Sequence, residues 1–216
     1  MIRSVIFDIG GVLAFDVWQH LFFEKNTGLV AIYNLDRKKV RRIGSKLWKN
    51  YAYISSNNWW QLEIDYWNQF NRLVDRDIPI DEIIALTDKF IRPVTGMPDL
   101  LRILDSKNIE LAICSNNTEF WFHRQANLLA LERYIPPEKT ILSCRVGVPK
   151  TSQHFEMFDA AITSLNAKMG ECIYIDDRVE SISRANQYGL TSILFPSHSP
   201  NGAQYLERLL QVLKVF

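Results

Sequence analysis

Five short runs along the chain are apolar nearly throughout, without alternation: residues 4–8 (SVIFD), 109–114 (IELAIC), 140–144 (TILSC), 172–175 (CIYI) and 191–195 (TSILF). Runs of that length and character suit strands covered on both faces, as in a parallel sheet. The segments between them space their apolar residues as helices do. In 98–106 these are Leu100, Leu101 and Leu104, and 118–131, 151–167, 181–188 and 202–213 follow. Strand alternating with helix predicts an α/β fold with a Rossmann-like parallel sheet of about five strands. One interval breaks the rhythm. Roughly a hundred residues separate the first strand from Ile109, far more than a crossover needs. Its pattern is helical and rich in aromatics, including LWKNYAYISSNNWWQLEIDYWNQF. The expected organisation is therefore a core of residues 1–14 and 93–216, with a helical cap over 15–92 inserted after the first strand.

Composition changes this picture little. The 216 residues are 47% hydrophobic and 23% charged, with a net charge of +1, which gives no polyelectrolyte character for nucleic acid or membrane. The exception is RKKVRR at 37–42, which reads as the solvated face of a helix or as a positive rim that draws in anions. Three cysteines, Cys114, Cys144 and Cys172, show neither paired nor CxxC spacing. Free buried thiols fit a reducing compartment, so a cytoplasmic protein is expected. The start MIRSVIFDIG reads as a strand, with no signal-peptide pattern, and no apolar run approaches membrane-spanning length.

In an open α/β sheet, ligands bind beyond the carboxyl ends of the strands. There the first run ends in Asp8, followed by Gly10 and Gly11. The second is followed by Ser115 and Asn116, the third by GVPK with Lys150, and the fourth by Asp176 and Asp177. Three carboxylates in one crevice oppose one another's ionisation. Two unit charges about 4 Å apart interact by roughly 4 kcal/mol at an effective dielectric near 20. Lys150 alone cannot offset three such groups. A divalent cation can, and hard oxygen ligands suit magnesium. Gly10 and Gly11 would let backbone amides approach an anion. Ser115 offers a hydroxyl, and the amides of Asn116 and its neighbours are expected to open the next helix, where anions are favoured. Asp8 is then a candidate nucleophile toward phosphorus, with Lys150 neutralising the transferring oxygens. Trp18 and Trp121, near the motif ends, are the aromatics best placed for substrate contact. Of Trp48, Trp59, Trp60, Tyr66 and Trp67, at least three are expected only to fill the cap interior.

These segments resemble the haloacid dehalogenase-like hydrolases. FDIGGVL looks like that superfamily's first motif, ICSNN its second, GVPK its third and YIDDRVESISRANQYGL its fourth, in the right order over about two-thirds of the chain. The IDDRVE form is similar to the subgroup holding the phosphatase domain of soluble epoxide hydrolase and bacterial glucose-1-phosphate phosphatases. The resemblance implies magnesium bound by Asp8, by the carbonyl of Gly10 and by Asp177, with Asp176 assisting directly or through water. It also implies a cap where the helical insert lies, and a phosphatase acting through an aspartyl-phosphate.

Two departures qualify the match. Gly10 stands where family phosphatases carry an acid, and general acid–base help is typically worth about 10²–10⁴-fold. Asp16 and His20 are the nearest substitutes, although a surface Asp and a half-buried His are their commoner states. After Lys150 the chain reads Thr-Ser-Gln in place of Pro-Asp-Pro, and Thr151 or Ser152 is expected to cap the next helix. The partner expected is a small phosphorylated metabolite of the sugar or nucleotide phosphate class, with neither nucleic acid nor membrane, the chain being a monomer or homodimer. Two other readings stay open: a 2-haloacid dehalogenase, and a catalytically weakened protein that binds a phosphorylated ligand.

Overall fold

The computed structural model describes residues 2–165, 167–197 and 199–215. Five parallel strands form one sheet in the order β3-β2-β1-β4-β5: β1 (Ser4–Phe7), β2 (Glu110–Ser115), β3 (Thr140–Leu142), β4 (Cys172–Asp176) and β5 (Thr191–Leu194). The central strand β1 pairs with β2 on one side and β4 on the other, with Phe7 level with both Ile113 and Ile175. Strand order reverses at β1, so the residues just beyond β1 and β4 lie at the switch point.

Five helices separate β1 from the rest of the sheet: α1 (Val17–Phe23), α2 (Leu29–Ile32), α3 (Arg37–Tyr51), α4 (Trp59–Val74) and α5 (Ile80–Phe90). The chain leaves and re-enters side by side, with Phe15 N–H donating to Arg92 O (3.0 Å) and Val94 N–H to Leu13 O (3.0 Å). Beyond this stretch come α6 (Met97–Ser106), α7 (Glu119–Leu128), α8 (Ser143–Val146), α9 (Glu156–Ser164), α10 (Val179–Tyr188) and α11 (Gly202–Val212). No helix of the described residues is long and apolar enough to cross a membrane.

Alternation along the strands builds two cores. Val5, Phe7, Leu111, Ile113, Ile173 and Ile175 face α6, α7 and α11, while Ile6, Ala112, Cys114 and Tyr174 face α9 and α10. Burial of both sheet faces explains why the strand runs read as continuously apolar. A third core fills the helical stretch with Phe22, Tyr66, Trp67 and Phe70, and takes in Phe120 and Trp121 of α7. Tyr66 and Trp67 are thus packing, and Trp59 packs partly against the same core and stacks on His123 at 5.2 Å. A partly buried ion network ties the two parts together. Arg124 of α7 donates to the fully buried Glu63 of α4 (2.7 and 2.9 Å) and to Asp88 of α5 (3.0 Å).

The helix expected over 118–131 ends at Leu128, and two further elements are cut short by contacts with distant segments. The strand at 140–144 stops at Leu142 because the Ser143 hydroxyl donates to Ala52 O (2.7 Å) and accepts from Asn117 N–H (3.0 Å), turning the chain into α8. The helix expected from Thr151 begins only at Glu156, and neither Thr151 nor Ser152 caps it. Arg184 of α10 holds the intervening loop, donating to Ser152 O (2.8 Å) and lying 3.8 Å over the Phe155 ring. Phe155 takes a left-handed backbone, φ +61°, before α9 can start. The far end of that prediction crosses Asn166, which lies outside the described residues.

Candidate active site

The parallel register brings the predicted residues together. Asp8 follows β1 and donates its N–H to Ile175 O (2.9 Å), which sets its side chain beside the end of β4. Lys150 is buried between two carboxylates, its Nζ 3.0 Å from Asp8 Oδ1 and 2.5 Å from Asp176 Oδ2. Asp176 is fully committed. Its Oδ2 also accepts from the Tyr174 hydroxyl, and its Oδ1 accepts from Arg178 N–H (2.8 Å). Tyr174 is itself held edge-on against Phe158 of α9, with ring centroids 5.2 Å apart. Asp176 therefore orients the Lys150 ammonium, and Asn116 anchors the Lys150 backbone, its Oδ1 accepting Lys150 N–H (2.9 Å).

Asp8, Asp176 and Asp177 each place a carboxylate oxygen within 4.8 Å of the others. Burial pushes the Asp8 carboxyl up to about 6; Lys150 opposes this, Asp176 adds to it, and the Ser115 hydroxyl opposes it. Burial, and then Asp176, also raise Asp177. Burial would depress the Lys150 ammonium, but Asp176 and Asp8 together hold it above its ordinary range. Three acids thus face one buried cation. Asp177 Oδ1 is buried and has no hydrogen-bond partner among the described residues. Leaving such an oxygen unsatisfied costs about 1–3 kcal/mol, more for a charged group. The donor set, the Asp8 carboxylate that Lys150 alone ion-pairs among the described residues, the orphaned oxygen of Asp177 and the adjacent backbone of Gly10, fits a hard divalent cation.

Gly11 serves this cluster differently from the sequence expectation. Its N–H donates to Ala14 O (2.7 Å), so that amide is not turned toward an anion. Its backbone is left-handed, φ +80°, and a Cβ there would lie 2.2 Å from Asp177 Oδ2. Glycine is required so that Asp177 can lie against the β1 loop. Gly11→Ala is expected to cost about 1–3 kcal/mol through backbone strain and collision. Paired thermal melts and magnesium titrations should show a lower Tm together with a weaker magnesium response. An unchanged magnesium response would disconnect Gly11 from Asp177. Asn116 lines the cavity over this cluster, but the helix that follows starts a little later than its own amide. Helix α7 opens at Glu119 with Thr118 as its cap, so the Asn116 amide does not open that helix.

A cavity of about 300 Å³ opens over the cluster. Asp8, Gly10, Ser115 and Lys150 lie at its base, and Trp18, Trp48 and Trp121 form part of its wall. The Trp18 ring is seated on α3 by Gly44, where a Cβ would come within 3.1 Å of it. Asp16 lines the cavity and caps α1 by accepting Gln19 N–H (3.0 Å), with Arg178 3.6 Å away. His20 does not line it and instead contacts Glu24 at 2.5 Å. Sequence reasoning missed Ser45, Lys49, Gln125 and Arg178, which also line the cavity. Ser45 and Lys49 lie just past the basic run on the same helix, the one signal that pointed their way.

A family model described as haloacid dehalogenase-like hydrolase matches residues 2–189. No curated protein matches by sequence. Among solved structures, a HAD family enzyme of Bacteroides thetaiotaomicron superposes with a TM-score of 0.70 at 18% identity, covering 92% of this chain and 95% of that one. Another structure of that enzyme, in complex with magnesium and inorganic phosphate, has a TM-score of 0.60 at 17% identity, covering 92% and 96%. A HAD phosphatase from Thermococcus onnurineus gives 0.64 at 19% identity, covering 98% of each chain. The L-2-haloacid dehalogenase of Xanthobacter autotrophicus gives 0.61 at 16% identity, covering 98% of this chain and 83% of its own. At these identities the likeness speaks for the fold, and phosphatase and dehalogenase share it. The family match is of another kind, since it runs through all four strand ends that supply Asp8, Ser115, Lys150, Asp176 and Asp177: the chain belongs to the haloacid dehalogenase-like hydrolases.

Proposed function

We propose that this chain is a magnesium-dependent phosphatase of a small phosphorylated metabolite, and that Asp8 carries the phosphoryl group between two half-reactions. The observation that carries this reading is the excess of buried acid. Asp8 and Asp177 converge with an orphaned carboxylate oxygen, and the one buried cation is already shared by Asp8 and Asp176. Asp8, Asp177 and the Gly10 carbonyl would hold the metal, which when bound neutralises the acids and the phosphate oxygens. A carboxylate oxygen of Asp8 attacks phosphorus as the ester P–O bond breaks, and the leaving oxygen departs with the bonding electrons and takes a proton from solvent. Water then attacks phosphorus, the acyl phosphate P–O bond breaks, and Asp8 and inorganic phosphate are released. Lys150, held by Asp176, neutralises the transferring oxygens, and the Ser115 hydroxyl donates to one of them. Position 10 supplies no side-chain acid, so a leaving group that departs unprotonated is the most direct probe.

The acid pair also separates this reading from a dehalogenase of the same fold. Without a metal, Asp176 and Asp177 would repel a 2-haloacid's carboxylate. The test uses 4-nitrophenyl phosphate, sugar phosphates and nucleoside monophosphates, with magnesium and with a chelator. Phosphate release should require magnesium and fall at least about 10²-fold on chelation. Halide release from 2-chloropropionate that ignores the chelator would replace the phosphatase reading with the dehalogenase one. Phosphate binding without release would favour a binding protein.

A further inference from the structure

We infer that the leaving group of the substrate carries a second anionic group, received by Lys49 at the inner end of a basic stripe on α3. This deepens the phosphatase reading and rests on it. Helix α3 (RKKVRRIGSKLWKNY) has seven basic residues and no acidic one, in a chain whose acids and bases almost balance, 24 against 25. Lys38, Arg42, Ser45 and Lys49 follow one another at spacings of four, three and four, which places them along one helix face. Lys38, Arg42 and Lys49 are exposed, and among the described residues none makes an ion pair. The stripe ends in the cavity, because Ser45 and Lys49 line the same space as Asp8 and Lys150.

Three cations line that cavity, and two are engaged: Lys150 by Asp8 and Asp176, Arg178 by Asp16. Lys49 is the third, and among the described residues it makes no ion pair within 4.0 Å. A basic helix face is commonly no more than a solvated surface. Here the charge works against the helix that bears it. Arg37, Lys38 and Lys39 occupy the first turn, where the helix dipole disfavours cations, and Lys38 and Arg42 repel at i, i+4. Trp18, Trp48 and Trp121 line the same cavity as Lys49 and Asp8 and suit a flat or ring-shaped body, so the chemistry selected is a ring bearing a phosphate monoester and, apart from it, a carboxylate or second phosphate.

The test compares phenyl phosphate with its 3- and 4-carboxyphenyl analogues, in magnesium, for the wild type and Lys49→Gln. The substitution should raise KM for the better carboxylated substrate about three- to fivefold, the scale of an exposed ion pair. It should leave kcat and the KM for phenyl phosphate unchanged, and the contrast should shrink at high salt. Arg42→Gln should shift the same KM less. Equal KM changes for both substrates, or none, would overturn the inference. Titrating the same compounds into Asp8→Asn protein, with and without Lys49→Gln, reads the contrast by binding alone. A failure of turnover would then count against the phosphatase reading, while the presence or absence of a Lys49 contrast decides the inference.

Discussion

Asp8→Asn should abolish phosphate release, lowering it by roughly 10⁴-fold or more, while the protein stays folded. An amide keeps the shape of the carboxyl and can still accept from Lys150, but it is a poor nucleophile. The stability side follows from the charge of the site. Burial raises Asp8 from 3.8 to about 6, so the folded protein favours its neutral form. For a group raised in the folded state, its contribution is fully present below about 4 and is lost as pH rises through about 6. Asparagine mimics the neutral form at every pH. In chelated buffer near pH 7.5 the variant should melt no lower than the wild type, and any advantage should fade toward pH 4. Magnesium should raise the Tm of the wild type more than that of the variant. A variant that keeps full turnover would remove Asp8 from the chemistry. One that unfolds would make Asp8 a structural acid instead.

The sheet was legible because each strand is buried on both faces, so its apolar run is unbroken from Val5 to Phe7 and from Leu111 to Cys114. The site was legible for a related reason. A parallel sheet delivers every strand's carboxyl end to one edge, so Asp8, Ser115, Asp176 and Asp177 could be placed without knowing strand order. What escaped depends on contacts between distant segments. Nothing local to Ser143 says that its hydroxyl meets Ala52 O, yet that bond shortens β3. Phe155 has no left-handed preference of its own; Arg184, from α10, pins the loop that precedes it. Gly11 was read as an opening for an anion because glycine after a strand permits close approach, but the approaching group is Asp177, from another strand. As residues, Asp176 and Asp177 are simply two adjacent acids at a strand end, and only the resemblance told them apart. Tyr174 and Arg178 N–H take up the first, leaving the second to face the loop of β1. The basic face of α3 could be read from spacing alone, whereas the cavity at its end could not, because that requires α3 to lie over the end of β1.

Lys150→Met should damage stability as well as catalysis, and the stability loss should depend on pH. Methionine fits the space, but Lys150 is only 2% exposed and is the buried ammonium between Asp8 and the fully buried Asp176. Removing one partner of a buried ion pair typically costs about 3–5 kcal/mol, because the remaining charge has lost its counter-ion. The carboxylates can escape that cost only by taking up a proton. Losing Lys150 removes the main influence that lowers Asp8, so its carboxyl moves above the present value of about 6. A further-raised folded value means stability is retained at low pH and lost as pH rises. The Tm gap between wild type and variant should therefore be small near pH 5 and widen steadily to pH 8. Magnesium should narrow the gap only in part. It can neutralise Asp8 and Asp177, but Asp176 has both oxygens turned to Tyr174 and Arg178. Turnover should remain at least about 10²-fold down even where magnesium restores the fold, because the charge that met the transferring oxygens is gone. Melts across pH 5 to 8, with and without magnesium, read both effects. A gap that does not change with pH would mean that Lys150 is not the counter-ion of these acids, and the electrostatic account of the site would fall with it.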